Sequence, residues 1–184
     1  MSVSWGTVVL LASGFWACQA TARRPAPEGH LEVSWTGKDS ASIAGTATAR
    51  WCGLLRVLEV RLVRGDTGVA VAIYPVRTPA PAAYRVMAPA KAESLPPAAA
   101  IAVRWLGQSV VQGFQGESGQ VVLQRSSAGF FSGRLKARAR SVVDTQHITL
   151  NGSFRDLILT PDSLGCSTDE DPDDDAETVD TGVH

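Results

Sequence analysis

The sequence predicts an all-β fold, a single antiparallel sandwich or barrel of about 8–10 short strands with a disordered acidic C-terminal tail. Apolar residues recur at every second position along much of the chain, which is the period of a half-buried strand. Glycine-containing turn sequences separate these runs, and no run beyond the N-terminal apolar segment has helical spacing. The length of 184 residues suits one domain with an ordinary core.

Three alternating runs precede the first predicted turn. They occupy residues 31–35, 43–51 and 58–62, and each alternates apolar side chains with polar ones. A Gly/Asp-containing sequence at residues 65–68 then interrupts the pattern, and the β-rich run 69–74 follows it. Two such runs around a Gly/Asp cluster predict a hairpin.

The next segment, residues 75–97, is rich in proline and alanine. It contains six prolines, and a proline in a central strand would remove a ladder hydrogen bond. We therefore expect a loop or an edge here, with one short strand around Tyr84, Arg85 and Val86.

Two more hairpins are predicted in the C-terminal half, after a strand at residues 101–105. Residues 110–114 and 120–124 flank the sequence Gly-Glu-Ser-Gly at 116–119, which predicts a hairpin loop. The pattern then repeats with residues 131–142 and 147–159 around the turn sequence 143–146. These strands complete a predicted β domain over residues 30–161.

Charge is distributed unevenly, although the formal net charge is only −1. All 17 Lys and Arg residues lie within residues 23–155, and nine of the 18 acids lie within residues 162–184. Residues 23–161 therefore carry +8 and residues 162–184 carry −9. The acidic tail has no aromatic residue and few apolar residues to offset the entropy of ordering, which predicts disorder.

The tail also contains a weak candidate for calcium binding. Asp169, Asp171, Asp173 and Asp175 alternate like the first positions of a calcium loop. Asp174 stands where such a loop needs glycine. A solvated acidic tail is therefore the favoured interpretation, and we predict no metal site and no cofactor.

A row of cations follows one predicted strand. Arg134, Lys136, Arg138 and Arg140 alternate with small or apolar residues, so period two places all four on one face. Neighbouring like charges repel unless an anion lies near, which indicates a candidate anion-binding surface. A plain water-facing strand is the favoured interpretation of the row, because charges also discourage aggregation. Stacking of nucleic-acid bases would need aromatic residues on this face, so no nucleic acid is expected.

No catalytic residues can be assigned from the sequence. Residues 116–119 resemble the sequence around the nucleophile of trypsin-like serine proteases, with Glu117 in place of Asp. His30 is the only histidine that precedes Ser118, and it lies at the edge of the predicted domain. The turn interpretation is therefore favoured over a protease.

The N-terminus is typical of an export signal. Residues 3–17 form an apolar run of signal length, and Cys18 directly follows Ala17, which resembles a bacterial lipobox. Lipidation of Cys18 would leave residues 23–29 as a tether, and Gln19 lacks the inner-membrane retention cue, which favours an outer-membrane or periplasmic destination. The alternatives are plain cleavage after Ala22, which would remove residues 1–22, and an uncleaved anchor or no signal.

Cysteine counting predicts one disulfide. If Cys18 is lipidated or removed, Cys52 and Cys166 remain as a pair in an oxidising compartment. Cys52 ends a predicted strand and Cys166 begins the acidic tail, so the bridge would close a loop of more than a hundred residues.

The sequence is similar to uncharacterised bacterial envelope lipoproteins with a single β domain. Besides the N-terminus, residues 133–137 and 148–154 carry the resemblance, because they look like the closing hairpin of such domains. The resemblance implies an envelope location, a lipid anchor in the membrane and a β fold. A non-enzymatic module that binds or scaffolds an envelope glycan, lipid or protein is the favoured function, and a hydrolase acting on an envelope polymer is the alternative.

Overall fold

The computed structural model describes residues 28–107 and 110–161. In this part of the chain, eleven strands and one short helix follow one another with short connections. The elements are β1 (His30–Thr36), β2 (Ala41–Thr46), β3 (Thr48–Cys52), β4 (Val57–Arg64), β5 (Thr67–Tyr74), β6 (Ala82–Val86), α1 (Pro89–Ser94), β7 (Ala98–Leu106), β8 (Val111–Arg125), β9 (Phe131–Ser141), β10 (His147–Leu157) and β11 (Thr160–Pro161).

All the strands belong to one sheet, with the order β11-β3-β4-β5-β7-β6-β8-β9-β10-β1-β2. Most neighbours pair antiparallel, while β6 with β7 and β11 with β3 pair parallel. The all-β prediction is therefore confirmed. The sequence left sandwich and barrel open as alternatives, and the structure has a single sheet whose strand ladder is not closed.

The sheet curls until its two ends approach one another. β2 and β3 are separated only by Ala47, yet they lie at opposite ends of the strand order. Across the gap, the guanidinium of Arg64 donates a hydrogen bond to the carbonyl oxygen of Ala44 at 3.4 Å. The predicted run 43–51 is therefore two strands, because the chain changes neighbours at Ala47, whose N–H is bound by Gly29 instead.

One hydrophobic core fills the inside of the curled sheet. The alternating runs supply it as predicted, since Leu31, Val33 and Trp35 of β1 are all buried. Trp35 stacks on Trp105 with ring centroids 5.0 Å apart, and Trp105 stacks on Phe114 at the same distance. Aromatic stacking contributes free energy beyond the burial of apolar area, so these three rings stabilise this end of the core.

Two of the three predicted hairpins are present. β4 and β5 pair around Gly65 and Asp66, and β9 pairs with β10 around residues 142–146. Within the second pair, Gly133 lies opposite Phe154 and the ring occupies the space of the missing side chain. The two strands that carry the lipoprotein resemblance therefore pair with each other.

The predicted hairpin at residues 116–119 is wrong, because β8 continues through them as one strand. The two glycines serve close packing here and not a turn. A Cβ on Gly116 would lie 2.7 Å from Val86, and Gly119, at φ +127°, faces the carbonyl oxygen of Lys136 across the ladder. The extra residue of the sequence, Glu117, is accommodated as a β-bulge between Gly116 and Ser118.

The proline-rich segment is more regular than predicted. Its short strand, β6, lies inside the sheet between β7 and β8 and not at an edge. The prolines stand before and after β6, so its ladder hydrogen bonds are intact. Pro89 begins the short helix α1, which buries Ala92 against Ala98 and Ala100 on the outer face of β7.

Candidate anion-binding face

The four predicted cations lie together on the outer face of β9. Arg134, Lys136, Arg138 and Arg140 are exposed, and the residues between them are buried in the core. The strand rise places successive cations of this basic row about 7 Å apart. The sequence therefore predicted the placement of the row correctly.

Neutral polar residues flank the basic row on both sides. The cross-strand partners of the cations on β8 are Gln115, Ser118, Gln120 and Val122, and those on β10 are His147, Thr149, Asn151 and Ser153. Cross-strand partners share one face of the sheet, so amide and hydroxyl groups border the cations along most of the row.

Only one cation of the row forms an ion pair within the described residues. Arg140 Nε lies 3.3 Å from Oε1 of Glu117. Oε2 of the same carboxylate lies 3.2 Å from Nε2 of His147. Arg134, Lys136 and Arg138 have no carboxylate within ion-pair distance in this part of the chain. Among the described residues, no carboxylate therefore compensates the charge of the row over most of its length.

The β-bulge in β8 determines where that carboxylate lies. Gly116 opposes Ala139 and Ser118 opposes Arg138, so Glu117 is the inserted residue between two paired positions. Bulges re-aim side chains at the edge of functional surfaces. Here the bulge exposes Glu117 and Ser118 side by side and brings Glu117 to the end of the row at Arg140.

A cleft of about 970 Å³ opens at the same end of the row. One wall comes from β6 and α1 with Arg85 and Lys91, and the other comes from Arg140 and the β9–β10 turn, residues 141–145. The sequence prediction missed Arg85 and Lys91, because their segment was interpreted as a proline-rich loop. Arg85, in the short strand predicted around Tyr84, was the one signal that could have indicated a cation here.

Asp144 also lines the cleft, but its carboxylate is committed to the turn. Oδ1 accepts the backbone N–H of Gln146 at 2.9 Å, and Oδ2 accepts its side-chain amide at 2.7 Å. The Gln146 backbone hydrogen bond and the Ser141 hydroxyl lower the pKa of Asp144. Asp144 is therefore a charged structural residue of the β9–β10 turn.

The protease interpretation of residues 116–119 has no geometric support. Ser118 lies opposite Arg138, then Thr149 on β10 and Thr36 on β1. His30 is at the other end of β1, six residues from Thr36, which is about 20 Å along the strand. The serine and this histidine cannot form a hydrogen bond.

The remaining predicted site residues divide between described and undescribed parts of the chain. Cys52 is buried at the end of β3, and its Sγ accepts the backbone N–H of Leu55 at 3.3 Å. Its predicted partner Cys166, the lipidation candidate Cys18, the signal segment 1–22, most of the tether and the acidic tail lie outside the described residues. So do the calcium candidates Asp169, Asp171, Asp173 and Asp175.

Neither a metal cluster nor a spanning helix occurs in the part of the chain that the structure describes. Across residues 28–107 and 110–161, no group of three or more His, Cys, Asp or Glu side chains is placed to hold a metal ion. The one helix there, α1, is far too short to cross a membrane.

Fold and surface together define the class of this protein, an all-β protein that carries a basic row on the outer face of a single curled sheet. Comparison with protein-family models, with curated proteins and with solved structures found no match to the chain.

Proposed function

We propose that this chain is an exported cell-envelope protein whose β domain binds an acidic glycan through the basic row, without catalysing a reaction. The observation that carries the proposal is the line of three cations, Arg134, Lys136 and Arg138, that no carboxylate of the described residues neutralises. Like charges about 7 Å apart on one strand repel one another, so a bound polyanion would stabilise them.

The flanks of the row favour a glycan over other polyanions. Gln115, Gln120, Thr149 and Asn151 offer amide and hydroxyl groups that suit the hydroxyls of sugars. Nucleic-acid bases would need aromatic platforms, and no aromatic residue alternates with the cations on β9. An anionic membrane would favour apolar side chains beside the cations, and the cross-strand partners are mostly polar.

Binding without catalysis is supported by the state of the two acids at the cleft. Hydrolysis of a glycosidic bond needs one carboxylic acid that stays protonated. Asp144 has a lowered pKa and accepts two hydrogen bonds from Gln146. The two carboxylate oxygens of Glu117 are engaged by other side chains, Oε1 by Arg140 and Oε2 by His147. These contacts favour binding over the alternative of a hydrolase acting on an envelope polymer.

The envelope location rests on the sequence of the N-terminus. The apolar run before Cys18 and the proline-containing tether support export and lipid modification of Cys18. Mass spectrometry of the mature N-terminus tests this. A diacylated or triacylated Cys18 is expected, and Arg23 as the first residue would show plain secretion instead.

The glycan proposal is tested with paired variants of equal charge. Heparin serves as a linear acidic polysaccharide, and affinity is measured over a range of salt concentrations. Arg134→Gln/Arg138→Gln is expected to weaken binding by roughly tenfold or more at low salt, because each lost contact also removes released counterions. The control Arg56→Gln/Arg77→Gln removes the same charge from two exposed connecting segments.

The outcome of that comparison decides the proposal. A smaller loss in the control than in the row variant supports it. Equal losses would show that only net charge matters, and tighter binding of anionic vesicles or of single-stranded DNA than of heparin would contradict the glycan class.

A further inference from the structure

The basic row and the cleft form one continuous surface. Arg140 belongs to both, as the last cation of the row and as part of the cleft wall. Arg85 lies on the same rank of the sheet as Lys136, with Gln120 of β8 between them. Neighbouring strands are about 4.8 Å apart, so these two cations are about 10 Å apart across the face.

The cleft is lined by more cations than acids, and both acids already contact other groups. Arg85, Lys91 and Arg140 come from three different elements and face the same space. Within the described residues, Arg85 and Lys91 have no carboxylate within ion-pair distance. Of the two acids that line the cleft, Glu117 pairs with Arg140 and His147, and Asp144 is held by the turn, which leaves Arg85 and Lys91 for a ligand.

The β9–β10 turn lies at the end of the surface that is formed by the basic row and the cleft. β9 ends at Ser141, and residues 142–145 form the wall of the cleft just beyond Arg140. A ligand chain that follows the row from Arg134 therefore meets this turn at its end. The apolar side chains of Met87 and Leu95 line the opposite side and can contact the faces of sugar rings.

We infer that the cleft binds the terminal anionic residue of the acidic glycan, with Arg85 and Lys91 holding its sulfate or carboxylate group while the rest of the chain lies along the basic row. The inference rests on the proposed function, which it makes specific for chain ends. A volume of about 970 Å³ is at the upper end of ordinary small-molecule sites and accommodates one or two sugar residues.

The test separates the cleft from the row by ligand length. A fully sulfated heparin disaccharide and polymeric heparin are titrated into the full chain and into three double variants. Arg85→Gln/Lys91→Gln alters the cleft, Arg134→Gln/Lys136→Gln alters the row, and Arg56→Gln/Arg77→Gln is the charge-matched control. Thermal unfolding of each variant verifies that the fold is retained.

The expected result is specific to the cleft for the short ligand. Arg85→Gln/Lys91→Gln should weaken disaccharide binding by roughly tenfold or more, because two charge-assisted contacts are lost. The row variant and the control should change it by about twofold at most, since exposed charges act there only at a distance. Polymeric heparin should lose affinity in both the cleft and the row variants.

Two kinds of result would overturn the inference. One is disaccharide binding that is undetectable in the unaltered chain, and the other is a cleft variant that binds the disaccharide like the control. If the row variant still weakens polymer binding in either case, the proposed function stands and only the cleft assignment fails. If neither variant differs from the control with the polymer, the proposed function fails as well.

Discussion

The carboxylate of Glu117 lies 3.3 Å from Arg140 Nε and occupies the end of the basic row nearest the cleft. The bulge in β8 creates this contact, because Glu117 is the inserted residue. The protein thus carries its own anion at the point where the proposed ligand passes from row to cleft. A bound glycan must compete with Glu117 for Arg140 or bind with that pair intact.

Removing this internal anion is the first prediction. Glu117→Gln should raise the affinity for heparin by up to about fivefold, since an exposed ion pair is worth ~0–1 kcal/mol. The gain should shrink as salt rises. Asp66→Asn removes the same charge from the β4–β5 turn, whose strands do not pair with β9, and serves as the control. A control with an equal gain would show that only net charge matters.

The sequence predicted the core and the basic row because both follow from period two. The buried positions of β1 and the exposed cations of β9 are fixed by alternation alone. The prediction from sequence failed at Gly116 and Gly119, because glycine is favoured both in turns and at positions of close packing. The same residue type makes a turn or permits close packing, and only the neighbours Val86 and Lys136, distant in sequence, decide which.

The cleft could not be predicted for a related reason. Arg85 and Lys91 belong to a segment whose prolines indicated a loop. Its strand β6 enters the sheet between β7 and β8, which are themselves paired further along. That arrangement depends on long-range pairing, and local sequence patterns contain no information on it.

The second prediction concerns Gly119. Gly119→Ala should lower the free energy of unfolding by roughly 2–4 kcal/mol, because φ +127° suits only glycine and the new Cβ would collide with the carbonyl oxygen of Lys136. Urea unfolding measures the loss. Gly65→Ala is the matched control, since Gly65 also has a positive φ but no atom would lie within 4 Å of the added Cβ. Its loss should be about 1 kcal/mol, and equal losses would contradict the steric argument.

The third prediction is a pH dependence at the β9–β10 turn. The hydrogen bonds from Gln146 and Ser141 lower the pKa of Asp144, so the charged form is favoured in the folded protein. Stability from this group is therefore present above its unfolded pKa and is lost as pH falls through the folded pKa. Asp144→Ala should lower the melting temperature at neutral pH, and the difference from the unaltered protein should narrow in acid. A difference that stays constant with pH would contradict the assignment.

The fourth prediction is the disulfide between Cys52 and Cys166. β11 runs parallel to β3 with Pro161 beside Trp51, so the described chain ends next to the residue that precedes Cys52. Only four residues lie between Pro161 and Cys166, which is within reach of a bridge. Peptide mapping without reductant should recover the two cysteines linked. Reduction should destabilise the protein by on the order of 4 kcal/mol, less any strain in the bridge, and free thiols at both positions in exported protein would refute it.

The fifth prediction is an association between the acidic tail and the basic row. Residues 162–184 carry −9 and residues 23–161 carry +8, and the connection between them keeps the local concentration of acid near the row high. We expect a loose association of residues 169–180 with the face of Arg134 to Arg140, because each exposed pair is worth only ~0–1 kcal/mol. Such a tail would compete with an acidic ligand and act as an autoinhibitor.

Deletion of residues 167–184 tests this competition on a heparin column. Under autoinhibition the truncated protein should bind more tightly at low salt, and the gain should vanish near about 1 M salt, where the screening length is ~3 Å. Equal retention of the two proteins would refute the idea. A tail that serves only solubility would instead change retention through net charge alone. Neutralising the four cations of the row distinguishes the two explanations. Under autoinhibition, the deletion should then have no effect on retention. A net-charge effect would instead persist when the same four cations are moved to another face.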